Sequence, residues 1–189
     1  MEDLIVLYSG GADSTLLLQM AKSMGKKPFA LMIDYGQLHK EELEYATKYL
    51  EKNGIESMTV KIDGYNVNSA LTGNGEKGMY EGVDIHNVPA RNTIFLSIAY
   101  GIAESKGITE IWFGANLEDY EHLFPDCTQE YIGRMNKVLE IAGVRPIKVY
   151  APLLGMEKYM IKVMLKLYKI KEDEIYSGYG EYKWKRLVS

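Results

Sequence analysis

Short apolar runs and segments of helical period take turns along most of this chain, and that alternation leaves few architectures open to it. Leu4-Ile5-Val6-Leu7-Tyr8 is a continuous apolar run with β-branched members, suited to a strand covered on both faces. From Asp13 the period changes: Leu16, Leu17, Met20, Ala21 and Met24 recur at helical spacing, and Gly25 stands where a left-handed cap ends a helix. The pattern then repeats. Strands are expected at Phe29–Ile33, closing on Asp34, and at Ser57–Ile62, Glu110–Gly114 and Ile147–Tyr150. Helices are expected over 38–53 (Leu43, Ala46, Tyr49 and Leu50 inward), 91–106 (Ile94, Phe95, Ile98 and Ile102 inward) and Thr128–Ala142. A last helix over 156–169 carries a stripe at Met156, Met160, Val163, Met164 and Leu167. Repeated βα units imply an α/β fold: a parallel sheet with right-handed crossovers and helices on both faces.

Two stretches break the rhythm. Residues 64–90 are rich in Gly and Asn without periodicity, which suits a lid, a binding loop or a partly disordered stretch. Residues 171–189 form a charged, aromatic tail (Tyr176, Tyr179, Tyr182, Trp184) beyond one domain spanning 1–170, expected to pack on that domain or on a second subunit. With 47% hydrophobic and 25% charged residues the composition is that of a globular protein. The net charge of −4 supplies no basic footprint for a nucleic-acid backbone, so no direct nucleic-acid partner is expected. No apolar run is long enough for a membrane span and the first residues lack the basic start of a signal peptide, so the expected location is the cytoplasm. Cys127 is the only cysteine, which excludes an internal disulfide and a cysteine zinc cluster.

The chemistry concentrates in Tyr8-Ser9-Gly10-Gly11-Ala12-Asp13-Ser14-Thr15, the turn from first strand to first helix. In a parallel sheet, ligands bind beyond the carboxyl ends of the strands, where this turn lies. Two glycines let backbone approach an anion, and the helix N-terminus then points its free N–H groups at it. Ser9, Ser14 and Thr15 add hydroxyls, and Asp13 can cap the helix or hold Mg²⁺. No Gly-Lys-[Ser/Thr] follows, so this is not a Walker A loop. A plain strand-to-helix turn with an Asp or Ser cap would need only a fraction of these residues. Gly73-Asn74-Gly75-Glu76-Lys77-Gly78 matches the dinucleotide fingerprint literally, but it neither follows a strand nor opens a helix.

Ser-Gly-Gly-x-Asp-Ser resembles the PP-loop of enzymes that bind the pyrophosphate part of ATP and release AMP. Four further segments extend the likeness over roughly residues 4–170: Ile33–His39, Val88-Pro89-Ala90-Arg91-Asn92 through Ser97, Gly114–Tyr120 with Pro125-Asp126-Cys127, and Ala151-Pro152-Leu153. Together they resemble the 7-cyano-7-deazaguanine synthase family. The resemblance implies the three-layer fold of the adenine nucleotide alpha hydrolases and an ATP- and Mg²⁺-dependent C–N ligase. Its substrates would be 7-carboxy-7-deazaguanine and ammonia: the carboxylate is adenylated, ammonia gives the amide, and a second ATP dehydrates the amide to the nitrile. Alternatives are an enzyme that stops at the amide or joins the activated base to another amine, and a nucleotide-binding module without turnover. Family members carry a C-terminal cysteine cluster for structural zinc; here Gly178 stands where its first cysteine would be, so no zinc is expected. The resemblance also implies a homodimer.

Site roles follow. Tyr8, Ser9, Gly10, Gly11, Asp13, Ser14, Thr15, Asp34, Arg91 and Asn92 are expected at the nucleotide, and Asp13, Arg91, Asp119 and Asp126 in catalysis. Arg91 suits a phosphate or carboxylate through its planar fork. Asp34 can face the adenosine, or merely cap a helix. Asp119 or Asp126 can accept from the ring N–H and amine of a guanine-like edge, or serve as loop caps. His39 is a candidate proton acceptor for ammonia, although a lone histidine is more often structural. Cys127 reads as a buried thiol, because activation by ATP needs no nucleophile.

Overall fold

The computed structural model describes residues 2–37, 41–65, 88–121 and 124–176. His39, the Gly73–Gly78 segment and the tail aromatics Tyr179, Tyr182 and Trp184 lie outside them. Five strands, β1 (Leu4–Leu7), β2 (Pro28–Asp34), β3 (Ser57–Lys61), β4 (Glu110–Trp112) and β5 (Lys148–Tyr150), form one sheet in the order β3-β2-β1-β4-β5. Every pairing is parallel. The helices are α1 (Ala12–Ser23), α2 (Glu41–Asn53), α3 (Arg91–Lys106), α4 (Leu117–Glu121), α5 (Gln129–Ala142) and α6 (Lys158–Leu167).

Alternate strand residues feed two separate cores, which is what a sheet covered on both faces requires. Leu4, Val6, Ala30, Met32 and Trp112 face α1, α2 and α6, packing on Leu16, Leu17, Leu50, Ile161 and Leu165. Ile5, Leu31, Ile33 and Ile111 face α3 and α5, packing on Leu96, Ala99, Ile132 and Leu139. The result is the three-layer α/β fold. Truncating a fully buried leucine in either layer, Leu16 or Leu96, is expected to cost about 2–5 kcal/mol.

Three details depart from the periodicity reading. Helix α3 buries Leu96, Ala99, Tyr100 and Ala103, while Phe95, Ile98 and Ile102 are only partly covered. Helix α6 buries Ile161 and Leu165 and leaves Met160, Val163 and Leu167 exposed. Helix α3 carries apolar residues around its circumference, and in α6 they fill a broad arc beside the Lys158, Lys162 and Lys166 row, so packing against the sheet selects which part of each apolar surface turns inward. The third is α4, a short helix where the periodicity predicts no element. Asn116 and Asp119 form a reciprocal cap there: the Asn116 side-chain oxygen accepts from the Glu118 and Asp119 amides (3.0 and 3.3 Å), and Asp119 Oδ2 accepts from the Asn116 amide (3.0 Å).

The start of the tail lies on the body. A 3₁₀ turn at Glu172–Glu174 follows α6, and Ile175 enters the core beside α1 and α2. No helix among the described residues is long and apolar enough to cross a membrane.

Candidate functional site at the carboxyl ends of β1 and β4

The strand order reverses direction between β1 and β4, the switch point at which an open parallel sheet leaves a crevice. The turn after β1 opens into it. Gly10 has φ +83°, a left-handed conformation that a side chain would oppose, and an added Cβ would meet Glu42 O at 3.0 Å and Ala46 Cβ at 3.1 Å. Gly11 is the N-cap of α1, with extended backbone (φ −78°, ψ 169°) and no side-chain cap. The first intrahelical bond runs from Thr15 N to Gly11 O (3.0 Å), so the amides of Ala12, Asp13 and Ser14 come before the helix ladder begins. On β4's side, Gly114 lets that helix end approach: a Cβ there would sit 3.1 Å from Asp13 Cβ.

The hydroxyls of the turn are tied to one another. Ser14 Oγ accepts from Ser9 N (3.2 Å), donates to Gly11 O (3.2 Å) and lies 3.3 Å from Ser9 Oγ. Thr15 is fully buried and its hydroxyl donates to Tyr8 OH at 3.4 Å, beneath the turn rather than in the crevice. Burial pushes the Tyr8 phenol well above its ordinary range, so it stays neutral.

Asp13 does not cap its own helix. Its Oδ2 accepts from Lys158 Nζ (2.8 Å) and from Asn116 Nδ2 (3.3 Å), while its Oδ1 is buried without a hydrogen-bond partner. Burial works against the Lys158 ammonium, but the carboxylates of Asp13 and Asp119 outweigh it and hold the group above its ordinary value. Lys158 is the first residue of α6, and Glu118 Oε1 accepts from its backbone amide at 3.2 Å. Asn116, fully buried, connects the end of β4, Asp13 and α4. Asp119 is raised, chiefly by burial and against the pull of Lys158.

A second group assembles at the start of α3. Ala90 precedes it with φ 56°, a left-handed conformation uncommon for a residue with a side chain. Tyr65 OH donates to Pro89 O (2.6 Å), and Arg91 Nη1 reaches Tyr35 OH at 3.5 Å. Asp126 Oδ2 accepts from the Asn92 amide (3.2 Å), capping α3 from a distant loop, and Asn92 Nδ2 lies 3.7 Å from Cys127 Sγ. Thr128 is itself the N-cap of α5, accepting from Tyr131 N (3.0 Å), so neither loop aspartate caps that helix. Burial, reinforced by Asp126, pushes the Cys127 thiol far up, which keeps it protonated. Asp34 Oδ1 accepts from the Gly36 amide (3.2 Å), closing a turn after β2.

The structure thus brings Gly10, Gly11, Asp13, Ser14 and Asp119 together and sets Arg91, Asn92 and Asp126 at the neighbouring helix start. Sequence reasoning assigned no role to Lys158 or Asn116. Lys158 belongs to a Lys158/Lys162/Lys166 row at i, i+4, i+8, which reads as a solvated stripe, and only folding carries it across 145 positions to Asp13. Among the described residues no cluster of three or more His, Cys, Asp or Glu could hold a metal ion.

Comparison with known proteins gives the family and bears out the fold. The family model described as "Queuosine biosynthesis protein QueC" matches residues 3–186. A 7-cyano-7-deazaguanine synthase of Alteromonas mediterranea is 38% identical over 167 residues, covering 85% of this chain and 76% of its own length. The protein of the same name from Myxococcus xanthus is 40% identical over 168 residues, covering 82% and 73%. Among solved structures, the U34-tRNA thiolase NcsA from Methanococcus maripaludis superposes with a TM-score of 0.62 at 16% identity, covering 93% of this chain and 59% of its own. The NH3-dependent NAD synthetase of Campylobacter jejuni gives 0.60 at 20% identity, covering 92% and 66%. At such identities these two attest the fold alone. The match over nearly the whole chain, with relatives near 40% identity, establishes that the chain belongs to the QueC family of queuosine biosynthesis proteins.

Proposed function

We propose that this chain is an ATP-dependent ligase that adenylates the carboxylate of 7-carboxy-7-deazaguanine and passes the acyl group to ammonia, giving the amide and then 7-cyano-7-deazaguanine. The observation that carries this reading is the uncapped start of α1 behind Gly10–Gly11, facing the switch-point crevice with Lys158 and Asp13 beside it. The names of the relatives supply the substrate class.

The outer phosphates of ATP rest against the first-turn amides of α1, where the helix dipole favours negative charge. A substrate carboxylate oxygen attacks the α-phosphorus; the bond to the β-phosphate oxygen breaks, pyrophosphate leaves, and an acyl-adenylate forms. The Lys158 ammonium, kept charged by its carboxylate neighbours, stands ready where charge grows on the leaving group. Ammonia then attacks the acyl carbon, losing a proton, and AMP departs. In the second round the amide oxygen attacks the α-phosphorus of a second ATP and pyrophosphate leaves; the C–O bond then breaks, AMP carries that oxygen away, and loss of both amide protons leaves the nitrile. Arg91 offers a fork for a phosphate or carboxylate beside Asp119 and Asp126, the candidates for the guanine-like edge. Burial disfavours charge on Asp119, so that carboxyl can hold a proton more readily than an exposed one.

Magnesium fits this donor set as one carboxylate plus substrate phosphates, the manner in which Mg²⁺ is usually held. Asp13, with a buried oxygen lacking a hydrogen-bond partner, is the side chain that would bind it, and the ion would neutralise phosphate charge. The test is incubation with ATP, Mg²⁺, ammonium and 7-carboxy-7-deazaguanine, followed by mass spectrometry and nucleotide analysis. The expected result is AMP and pyrophosphate with masses of the amide and the nitrile. ADP in place of AMP, or no ATP consumption, refutes the reading.

A further inference from the structure

The backbone amide of Tyr176 donates to Gly10 O at 3.0 Å, so a residue near the end of the chain holds the carbonyl of the phosphate-facing turn. That carbonyl and the Gly11 amide belong to one planar peptide unit and point in opposite directions. Fixing the first therefore aims the second. The restraint matters because the unit is flanked by glycine on both sides. Counter-rotation of ψ at Gly10 and φ at Gly11 would turn the N–H away from the crevice, carrying Gly11 from φ −78° to positive φ, which glycine alone tolerates well. Inside the turn the Gly11 amide has only a long contact, 3.4 Å to Ser9 Oγ, which leaves it available to a stronger acceptor but does little to hold it.

The segment bearing Tyr176 is anchored along α2. Lys52, in the last turn of α2, pairs with Glu174, whose other oxygen accepts from Lys171 N at 3.1 Å. Ile175 is buried in the core cluster beside α1 and α2, and the Tyr176 ring lies 5.9 Å from that of Tyr45. The same helix closes over Gly10 from the other side through Glu42 O and Ala46. We propose that residues 171–176 are a positioning latch: the Tyr176 amide locks the Gly10–Gly11 peptide with its N–H toward the nucleotide phosphates. This inference rests on the turn being the phosphate site, as proposed above.

The test separates the amide from the ring. Tyr176→Ala keeps the N–H and loses the ring; Tyr176→Pro loses both, and Ile175, at φ −118° and ψ 138°, already has the backbone a following proline requires. ATP affinity is measured by calorimetry, and the Gly11 amide resonance is followed by NMR without nucleotide. Removing one hydrogen bond that orients a phosphate donor is expected to weaken ATP binding by about tenfold in Tyr176→Pro relative to Tyr176→Ala, with Tyr176→Ala close to wild type. The Gly11 resonance should shift or broaden only in the proline variant. A merely structural tail would lower thermal stability in both variants and leave the folded protein's affinity and that resonance alike; such a result overturns the latch. Should Tyr176→Pro fail to fold, Glu174→Gln decides, with an unmoved Gly11 resonance and unchanged affinity as the overturning outcome. If the wild type binds no ATP, the proposed function falls, and the Gly11 resonance still decides whether the tail orients the peptide.

Discussion

Helices α1 and α3 both present their N-termini to the same crevice, yet they are finished in opposite ways. The chain enters α1 through glycines, with Gly10 in a left-handed conformation at no steric cost and Gly11 as a cap without a side chain. It enters α3 through Ala90, in a left-handed conformation that costs a residue with a Cβ about 1–2 kcal/mol. The first end is left open. The second is closed by Asp126, whose carboxylate accepts from Asn92 N. An open helix start is a site for an external anion, whereas a closed one can only serve by what it projects, here Arg91. The contrast supports the proposed division of labour, with phosphate recognition at α1 and side-chain recognition at α3.

The largest effect is expected from breaking the open end's charge pair. Lys158→Met should lower turnover about 10²–10³-fold, the usual loss when a group stabilising developing charge is removed, with the product assay above as readout. A variant with near-wild-type turnover would transfer that role elsewhere. At the closed end, Asp126→Ala should cost about 1 kcal/mol of stability in urea unfolding, the typical value of a lost N-cap. If unfolding is unchanged, the carboxylate is not the cap that distinguishes the two ends. Ala90→Gly removes the left-handed penalty but adds chain entropy, so a net gain of at most about 1 kcal/mol is expected. It should come with a raised KM for the carboxylate substrate as Arg91 loses its aim; unchanged KM would mean the turn does not position Arg91.

The smallest effect concerns Asp119. Burial raises its pKa, so its favourable contribution is fully present below the ordinary aspartate range and is lost as pH rises through the elevated value. Asp119→Asn carries no such loss. The thermal stability of this variant relative to wild type should therefore increase with pH across the carboxylate range, while a constant difference from acid to neutral pH would contradict the burial argument.

Local sequence carried the strands, five of the six helices and the Gly-Gly turn, because each is written in period, capping residues or glycine placement within a few positions. Helix α4 was also legible in principle, since Asn116 and Asp119 stand at capping-box spacing; the signal is short and follows a strand that ended early. The inward faces of α3 and α6 were not, because apolar residues surround α3 and fill a broad arc of α6 beside its lysine row, and the neighbouring elements choose among them. The site's long-range pairs are the clearest limit. Nothing near Asp13 in the chain announces Lys158 or Asn116, and nothing near Tyr176 announces Gly10; these meet only because the sheet order places β1 beside β4 and returns the tail across α2.

A crystal of the protein grown with a non-hydrolysable ATP analogue and Mg²⁺ tests the central assignment most directly. The β- and γ-phosphate oxygens are expected within hydrogen-bond distance of the first-turn amides of α1, with the Lys158 ammonium turned toward them. Phosphates seated at the start of α3 instead, or an α1 end without any contact to the nucleotide, would contradict it.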